Sequence, residues 1–233
     1  MALPAEAVSF SLESLAEAYE VQALVAGKVG AVAAWKTGAP SPEAEPIMAP
    51  IFEGLVHGSP ALLEAARFHR LGIEAEIAYR LGCDLPVRER PYTRDEIVAA
   101  VAAILPAIEV VDSRLAGGED LDPLWKLADN QINGGLVVGR VIDDWRRIDP
   151  MTLPVVLTVD GEVAASGEGG NTAGDPLRLL VWMANNVGDH CDGLRAGQIV
   201  TTGSLTGLRF VEPGAHVAAE FAGLGRVEVT FQA

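Results

Sequence analysis

The chain has 233 residues, 49% of them apolar, and its 32 acidic against 17 basic side chains leave a formal charge of −15. That length can bury one sizeable core and still form a second small lobe, and the apolar fraction excludes a disordered chain. The charge speaks against a general binder of nucleic acid or of an anionic membrane, because either polyanion would repel it. The opening MALPAEAVSFSLESLAEAYEVQ carries acids and no basic start before an apolar run, unlike a secretory or transit peptide. No stretch approaches the roughly 18 uninterrupted apolar residues of a membrane span. Cys83 and Cys191 lack CxxC spacing. Unpaired thiols in a reducing, cytoplasmic compartment are therefore expected.

In chain order, Leu12, Leu15, Ala16, Tyr19 and Ala23 share one helical face, predicting a helix over 12–25 that ends at Gly27. The proline-rich KTGAPSPEAEP that follows reads as turn. Ser59-Pro60 has the pattern of a capped helix start, and 72–81 has strand character. Thr93 and Glu96 form a capping-box pattern ahead of IVAAVAAIL, predicting a helix over 94–105. AIEVV at 107–111 and LVV at 136–138 read as strands, and PVVLTVDGEVAAS as a hairpin turning at Asp160-Gly161. Asp175-Pro176 opens a helix bearing Leu177, Leu180, Val181 and Ala184, and the last forty residues read as strands with tight turns. The expected class is α+β, with a small helical and extended N-terminal portion over 1–60 and a main lobe over 61–233.

Several polar residues sit oddly in this frame. Glu74 and Glu76 in GIEAEIAY are two apart in a strand, so both point to one face, and Glu109 repeats the anomaly in PAIEVVDSR. Three such acids could gather a hard divalent cation such as Mg²⁺. Spacing alone favours a solvated strand face, the commonest origin of ExE, and leaves the metal site and then salt bridges open behind it. Lys36, one of three lysines beside 14 arginines, follows an apolar-aromatic run, where it could hold a substrate carboxylate, relay a proton or merely snorkel. Asp112, Ser113 and Arg114 follow Glu109 closely, and the Arg114 fork could grip a carboxylate or pair with nearby acids. Asn130 precedes a glycine turn and suits a turn role as well as a catalytic one. TTGSLTG at 201–207 offers backbone N–H groups and the Ser204 hydroxyl, without the lysine of a P-loop. The four histidines lack ligand spacing, and neither a GxSxG elbow nor a dinucleotide fingerprint occurs.

Taken in order, AYEVQ (18–22), AWKTGA (34–39), GIEAEIAYRLGCDL (72–85), LPAIEVVDSR (105–114), LADNQINGGLVVG (127–139), VWMANN (181–186), GLRAGQIVTTGSLTG (193–207) and AAEFAGLGRVEVTF (218–231) resemble one known family. It is the 2-keto-4-pentenoate hydratase and 4-oxalocrotonate decarboxylase branch of the fumarylacetoacetate hydrolase superfamily. The resemblance implies a mixed β-roll with flanking helices and a homodimer or larger homo-oligomer. It implies Mg²⁺ or Mn²⁺ held by Glu74, Glu76 and Glu109, with Lys36 at the active site and Ser204 facing the substrate. It also implies a small 2-oxo acid or its dienol as substrate, in aromatic-compound breakdown. The leading expectation is hydration of a 2-hydroxy-2,4-dienoate to a 4-hydroxy-2-oxo acid through a stabilised enolate, with Glu109 and Asp112 assisting and Arg114, Asn130 and Ile132 near the substrate. Decarboxylation of an oxalocrotonate-like diacid, C–C bond hydrolysis and a catalytically silent binding protein are the alternatives. The chain departs from the pattern around AWKTG, where it is shortened. It departs again at Asp129-Asn130-Gln131-Ile132, where members commonly have Asp-Asn-Ala-Ser.

Overall fold

A computed structural model of the chain describes residues 11–233. The first helix, α1 (Leu15–Val29), starts at Ser14, whose hydroxyl accepts from the Glu17 N–H at 3.3 Å. It runs past Gly27 to a cap at Gly30, and it buries Ala18 and Gln22, while Leu15 is half exposed. The expected face is therefore rotated. Gln22 sits at a core position because its amide donates to the Met48 and Leu127 carbonyls, at 3.3 and 2.6 Å, a satisfaction that hydrophobic periodicity does not register.

The strands β1 (Val32–Gly38), β2 (Ile47–Phe52), β3 (Val56–Gly58) and β4 (Ala61–Glu64) come next. Pro60 opens no helix. Ala61 and Leu63 are buried and Leu62 and Glu64 exposed, a period of two, and the Ser59 hydroxyl accepts from the Glu228 N–H instead of capping a turn. The strand β5 (Gly72–Leu81) is followed by α2 (Arg94–Ala100) and β6 (Val101–Val111). The capping box at Thr93 and Glu96 is formed, yet the helix stops at Ala100, five residues before the expected end. The β-branched Val101 and Ile104 and the Pro106 ring suit extended chain, and β6 gains a ten-residue antiparallel ladder with β5.

The remaining elements are α3 (Pro123–Ala128), β7 (Asn133–Val138), β8 (Pro154–Val159), β9 (Glu162–Glu168), α4 (Pro176–Asn186), β10 (Ile199–Ser204), β11 (Arg209–Phe210), β12 (His216–Phe221) and β13 (Gly225–Gln232). The β8–β9 hairpin turns at Asp160 and Gly161, both at positive φ, as a two-residue turn of that hand requires.

Two sheets result. One has the order β2-β1-β10-β5-β6-β7-β3 with β11 on β5, and the other has the order β4-β13-β12-β8-β9. Pairing is mixed: β1/β10, β3/β7 and β4/β13 are parallel and the rest antiparallel. Three strands from the segment before residue 61 thus belong to the larger sheet. Ile73, Ala75, Ile77 and Tyr79 of β5 join Ile104 and Ile108 of β6 and Val217, Phe221, Val229 and Phe231 of the second sheet in the main core. The other face of the larger sheet carries a smaller core of Ala34, Ile51, Ala78, Ala107 and Leu136, and that is the face bearing the acids. This is the α+β mixed roll.

Candidate metal centre

The period of β5 sends Glu74 and Glu76 to the side opposite Ile73, Ala75 and Ile77, and the β5–β6 register sets Glu74 directly across from Glu109. Carboxylate oxygens of Glu74, Glu76 and Glu109 all lie within 4.8 Å of one another. Glu76 is 2% and Glu109 0% exposed, so these are interior acids on a dry sheet face and not a solvated stripe. Lys36 enters from β1, three strands from β6. In a flat sheet that separation is roughly 14 Å. Its ammonium nevertheless donates to Glu109 Oε1 at 2.5 Å, and β2 and β7, far apart in the strand order, also touch, so the sheet curls toward this face.

Each acid is held from behind. The Gly203 N–H donates to Glu76 Oε2 at 2.9 Å, and the Thr201 hydroxyl bonds the same oxygen. Gly203 has φ +91°, a conformation that turns this amide toward the acid and suits glycine. The Asn133 amide donates to Glu109 Oε1 at 2.8 Å, and Ser204 bonds Glu74. Lys36 also donates to the Gln131 carbonyl at 3.1 Å.

The charges are out of balance. Burial first, then the Glu109 carboxylate, pushes Glu74 up to about 6. The same two influences, with Glu74 added, hold Glu76 well above the usual carboxylate range. Burial is the largest single influence on Lys36 and lowers its pKa, but the three surrounding carboxylates together outweigh it and raise the pKa. Glu109 Oε2 is buried with no hydrogen-bond partner. Three converging carboxylates, one with an orphaned oxygen, against one ammonium fit a hard divalent cation with oxygen ligands.

The cluster opens into a cavity of about 370 Å³ lined also by Thr37, Ala39, Ile47, Gln131, Thr172 and Ser204. Of the residues singled out in the sequence, Lys36, Glu74, Glu76, Glu109 and Ser204 meet here. Asn130 and Ile132 flank Gln131 on the adjoining turn, and Gln131 is the one that reaches the cavity wall. Asp112 and Arg114 lie elsewhere. Asp112 accepts from the His69 and Arg70 N–H groups at 3.1 and 2.8 Å. Arg114 binds Asp129 Oδ1 through Nε at 2.5 Å and spends its other nitrogens on the Asn133 and Asp129 carbonyls. Sequence reasoning passed over Asn133, read Thr201 and Gly203 only as part of the TTGSLTG loop, and had Gln131 only as a departure from the family pattern. Only the polar start of NGGLVV hinted at Asn133; Thr201 acts through its hydroxyl, and Gly203 and Gln131 through their backbone.

Among the described residues, no helix is long and apolar enough to cross a membrane. The chain is 31% identical over 188 residues to 2-keto-4-pentenoate hydratase of Paraburkholderia xenovorans (strain LB400), covering 81% of this chain and 69% of that one. It is also 31% identical over 136 residues to 4-oxalocrotonate decarboxylase of Pseudomonas putida, 58% of this chain and 51% of that one. The solved 4-oxalocrotonate decarboxylase from Pseudomonas putida G7, complexed with magnesium and adipate, superposes with a TM-score of 0.85 at 25% identity, over 99% of this chain and 90% of that chain. These relatives are lyases. The sequence profile of the fumarylacetoacetate (FAA) hydrolase C-terminal family matches residues 25–232, and the chain belongs to that family.

Proposed function

We propose that the protein is a divalent-cation-dependent lyase that hydrates a 2-hydroxy-2,4-dienoate to a 4-hydroxy-2-oxo acid. The observation that carries this reading is the triad of half-buried Glu74 with buried Glu76 and Glu109, with Lys36 seated on Glu109 at the mouth of a small-molecule cavity. The hydratase and decarboxylase relatives, and the magnesium in one solved neighbour, support it. Glu74, Glu76 and Glu109 would hold Mg²⁺ or Mn²⁺, which when bound supplies the positive charge that stabilises an enolate.

The chain's own groups do the rest. Two hydrogen bonds to Glu109 and Gln131 fix the Lys36 ammonium, leaving its remaining N–H to orient the substrate carboxylate. Thr201, Gly203, Ser204 and Asn133 keep the three carboxylates converged, so little reorganisation accompanies substrate entry. The curled sheet walls the pocket and excludes bulk water from Glu76 and Glu109. We also propose a homodimer or larger homo-oligomer in the cytoplasm.

Loss of the dienoate's ultraviolet absorbance, with Mg²⁺ and then with excess chelator, tests the reading. Turnover with the ion and none without it is the expected result, and a folded, ion-loaded protein inert toward the dienoate would sink it. The similarity to 4-oxalocrotonate decarboxylases makes carboxy-lyase action the second reading. Release of CO₂ from 4-oxalocrotonate, without hydration, would select it. Binding of 2-oxo acids with no turnover of either substrate would select the silent binding protein.

A further inference from the structure

Three consecutive residues other than glycine, Asn130, Gln131 and Ile132, have φ of 50°, 53° and 51°. L residues rarely enter this left-handed region even singly, and a β-branched one least of all. Such a run persists where its surroundings over-determine it, and that occurs chiefly at functional sites. Here the Ile132 N–H donates to the Asp129 carbonyl and the Asp112 N–H to the Ile132 carbonyl, both at 2.9 Å, while the Lys36 ammonium takes the Gln131 carbonyl at 3.1 Å.

The turn therefore does two things with one residue. It gives the backbone carbonyl of Gln131 to Lys36, and Gln131 itself lines the cavity. The carboxamide nitrogen there is buried without a hydrogen-bond partner. Buried donors nearly always find an acceptor, so an unpaired one in a ligand cavity marks a place where the ligand completes the bond. A carboxamide is neutral and offers both donors and an acceptor. The group it suits is an uncharged oxygen. A second carboxylate is disfavoured in a cavity already holding Glu74, Glu76 and Glu109. Ala39 and Ile47 complete an apolar stretch of the same wall.

We propose that Gln131 sets specificity: its carboxamide hydrogen-bonds a hydroxyl or carbonyl oxygen on the tail of the bound 2-oxo acid, such as the 4-hydroxyl that hydration adds, beyond the carboxylate held near Lys36. This rests on the 2-oxo-acid reading above and selects, within that class, acids with a neutral oxygenated tail. A glutamine at this position is also one of the chain's departures from the family pattern.

The experiment is calorimetric binding to the Mg²⁺-loaded protein, using oxalate, 2-oxopentanoate and 4-hydroxy-2-oxopentanoate as probes. The wild type should bind the hydroxylated acid about tenfold more tightly than 2-oxopentanoate, the scale of one hydrogen bond. Gln131→Leu should erase that preference while oxalate affinity stays within about twofold. Gln131→Ala gives the same readout should leucine prevent folding. A preference that survives in the folded variant overturns the assignment. So does a parallel loss of oxalate affinity, which would make Gln131 a prop for Lys36. Should the wild type bind none of the three probes, the 2-oxo-acid reading falls and this assignment with it; binding without any preference overturns the assignment alone.

Discussion

Two acidic clusters lie side by side at the C-terminal end of β6, and they are built on opposite plans. In one, Glu74, Glu76 and Glu109 converge on each other with a single ammonium among them, and one carboxylate oxygen is left without a partner. In the other, Asp112 and Asp129 are as acidic and nearly as buried, but backbone amides, Ser113, His69 and Arg114 answer them. Arg114 there bridges Asp129 and the Asn133 carbonyl, so this second cluster clamps α3 and the left-handed turn to the end of β6. Burial of an acid does not distinguish a site from a staple. Whether the protein itself supplies the counter-charge does.

The largest effects should come from the unanswered cluster. Glu109→Ala removes the acid bonded by both Lys36 and Asn133, and we expect Mg²⁺ binding to disappear from calorimetry and activity to fall on the order of a thousandfold. Lys36→Met should keep cation affinity and lose about a hundredfold or more in kcat/KM. Equal loss of cation binding in that variant would move Lys36 from substrate orientation to support of the carboxylates. The answered cluster should behave in the opposite way. Arg114→Ala strands Asp129, whose side chain is 8% exposed, and should lower stability in chemical denaturation by about 2–3 kcal/mol with Mg²⁺ affinity unchanged. A large drop in cation affinity there would erase the distinction between the two clusters.

Residues differed in how far the sequence alone placed them, for physical reasons. Glu74 and Glu76 were legible because a strand's period is local: two acids two apart must share a face. Their burial was not, because an exposed strand face writes the same pattern; Glu109 joined them as one open possibility, which the resemblance turned into a ligand set. Glu109 meets Glu74 through a register fixed by long-range pairing, and the helical pattern of IVAAVAAIL masked the first half of the strand that carries it. Lys36 stood out by rarity, but its contact depends on the curl of a whole sheet. Asp112 and Arg114 drew attention by proximity in sequence to Glu109, yet β6 ends at Val111 and the chain turns away from the cavity. Gln131 acts through a backbone conformation that no propensity favours, and so left no local signal beyond its departure from the family pattern.

The smallest effect gives the comparison its most direct thermodynamic test. Glu74 rises from 4.5 to about 6 in the folded protein, chiefly through burial and then through Glu109. Below pH ~4.5 both folded and unfolded chains hold this proton, and the group contributes no pH dependence. Between ~4.5 and ~6 the unfolded chain releases it first, so the folded state binds more protons and stability falls as pH rises. The metal-free protein should therefore lose about 2 kcal/mol across that window from Glu74, a loss that persists above it. Glu76, also raised by burial and its acidic neighbours, acts in the same sense. In chelator, denaturation at pH 4.5 and 6.5 should show a smaller difference for Glu74→Gln than for the wild type, while Arg114→Ala should keep the wild-type slope. Added Mg²⁺ should reverse the trend, because a dication favours the carboxylate form that pairs with it and competes with the proton. A wild-type slope unchanged by both Glu74→Gln and Mg²⁺ would mean that the three acids are already compensated, and the contrast between the two clusters would collapse.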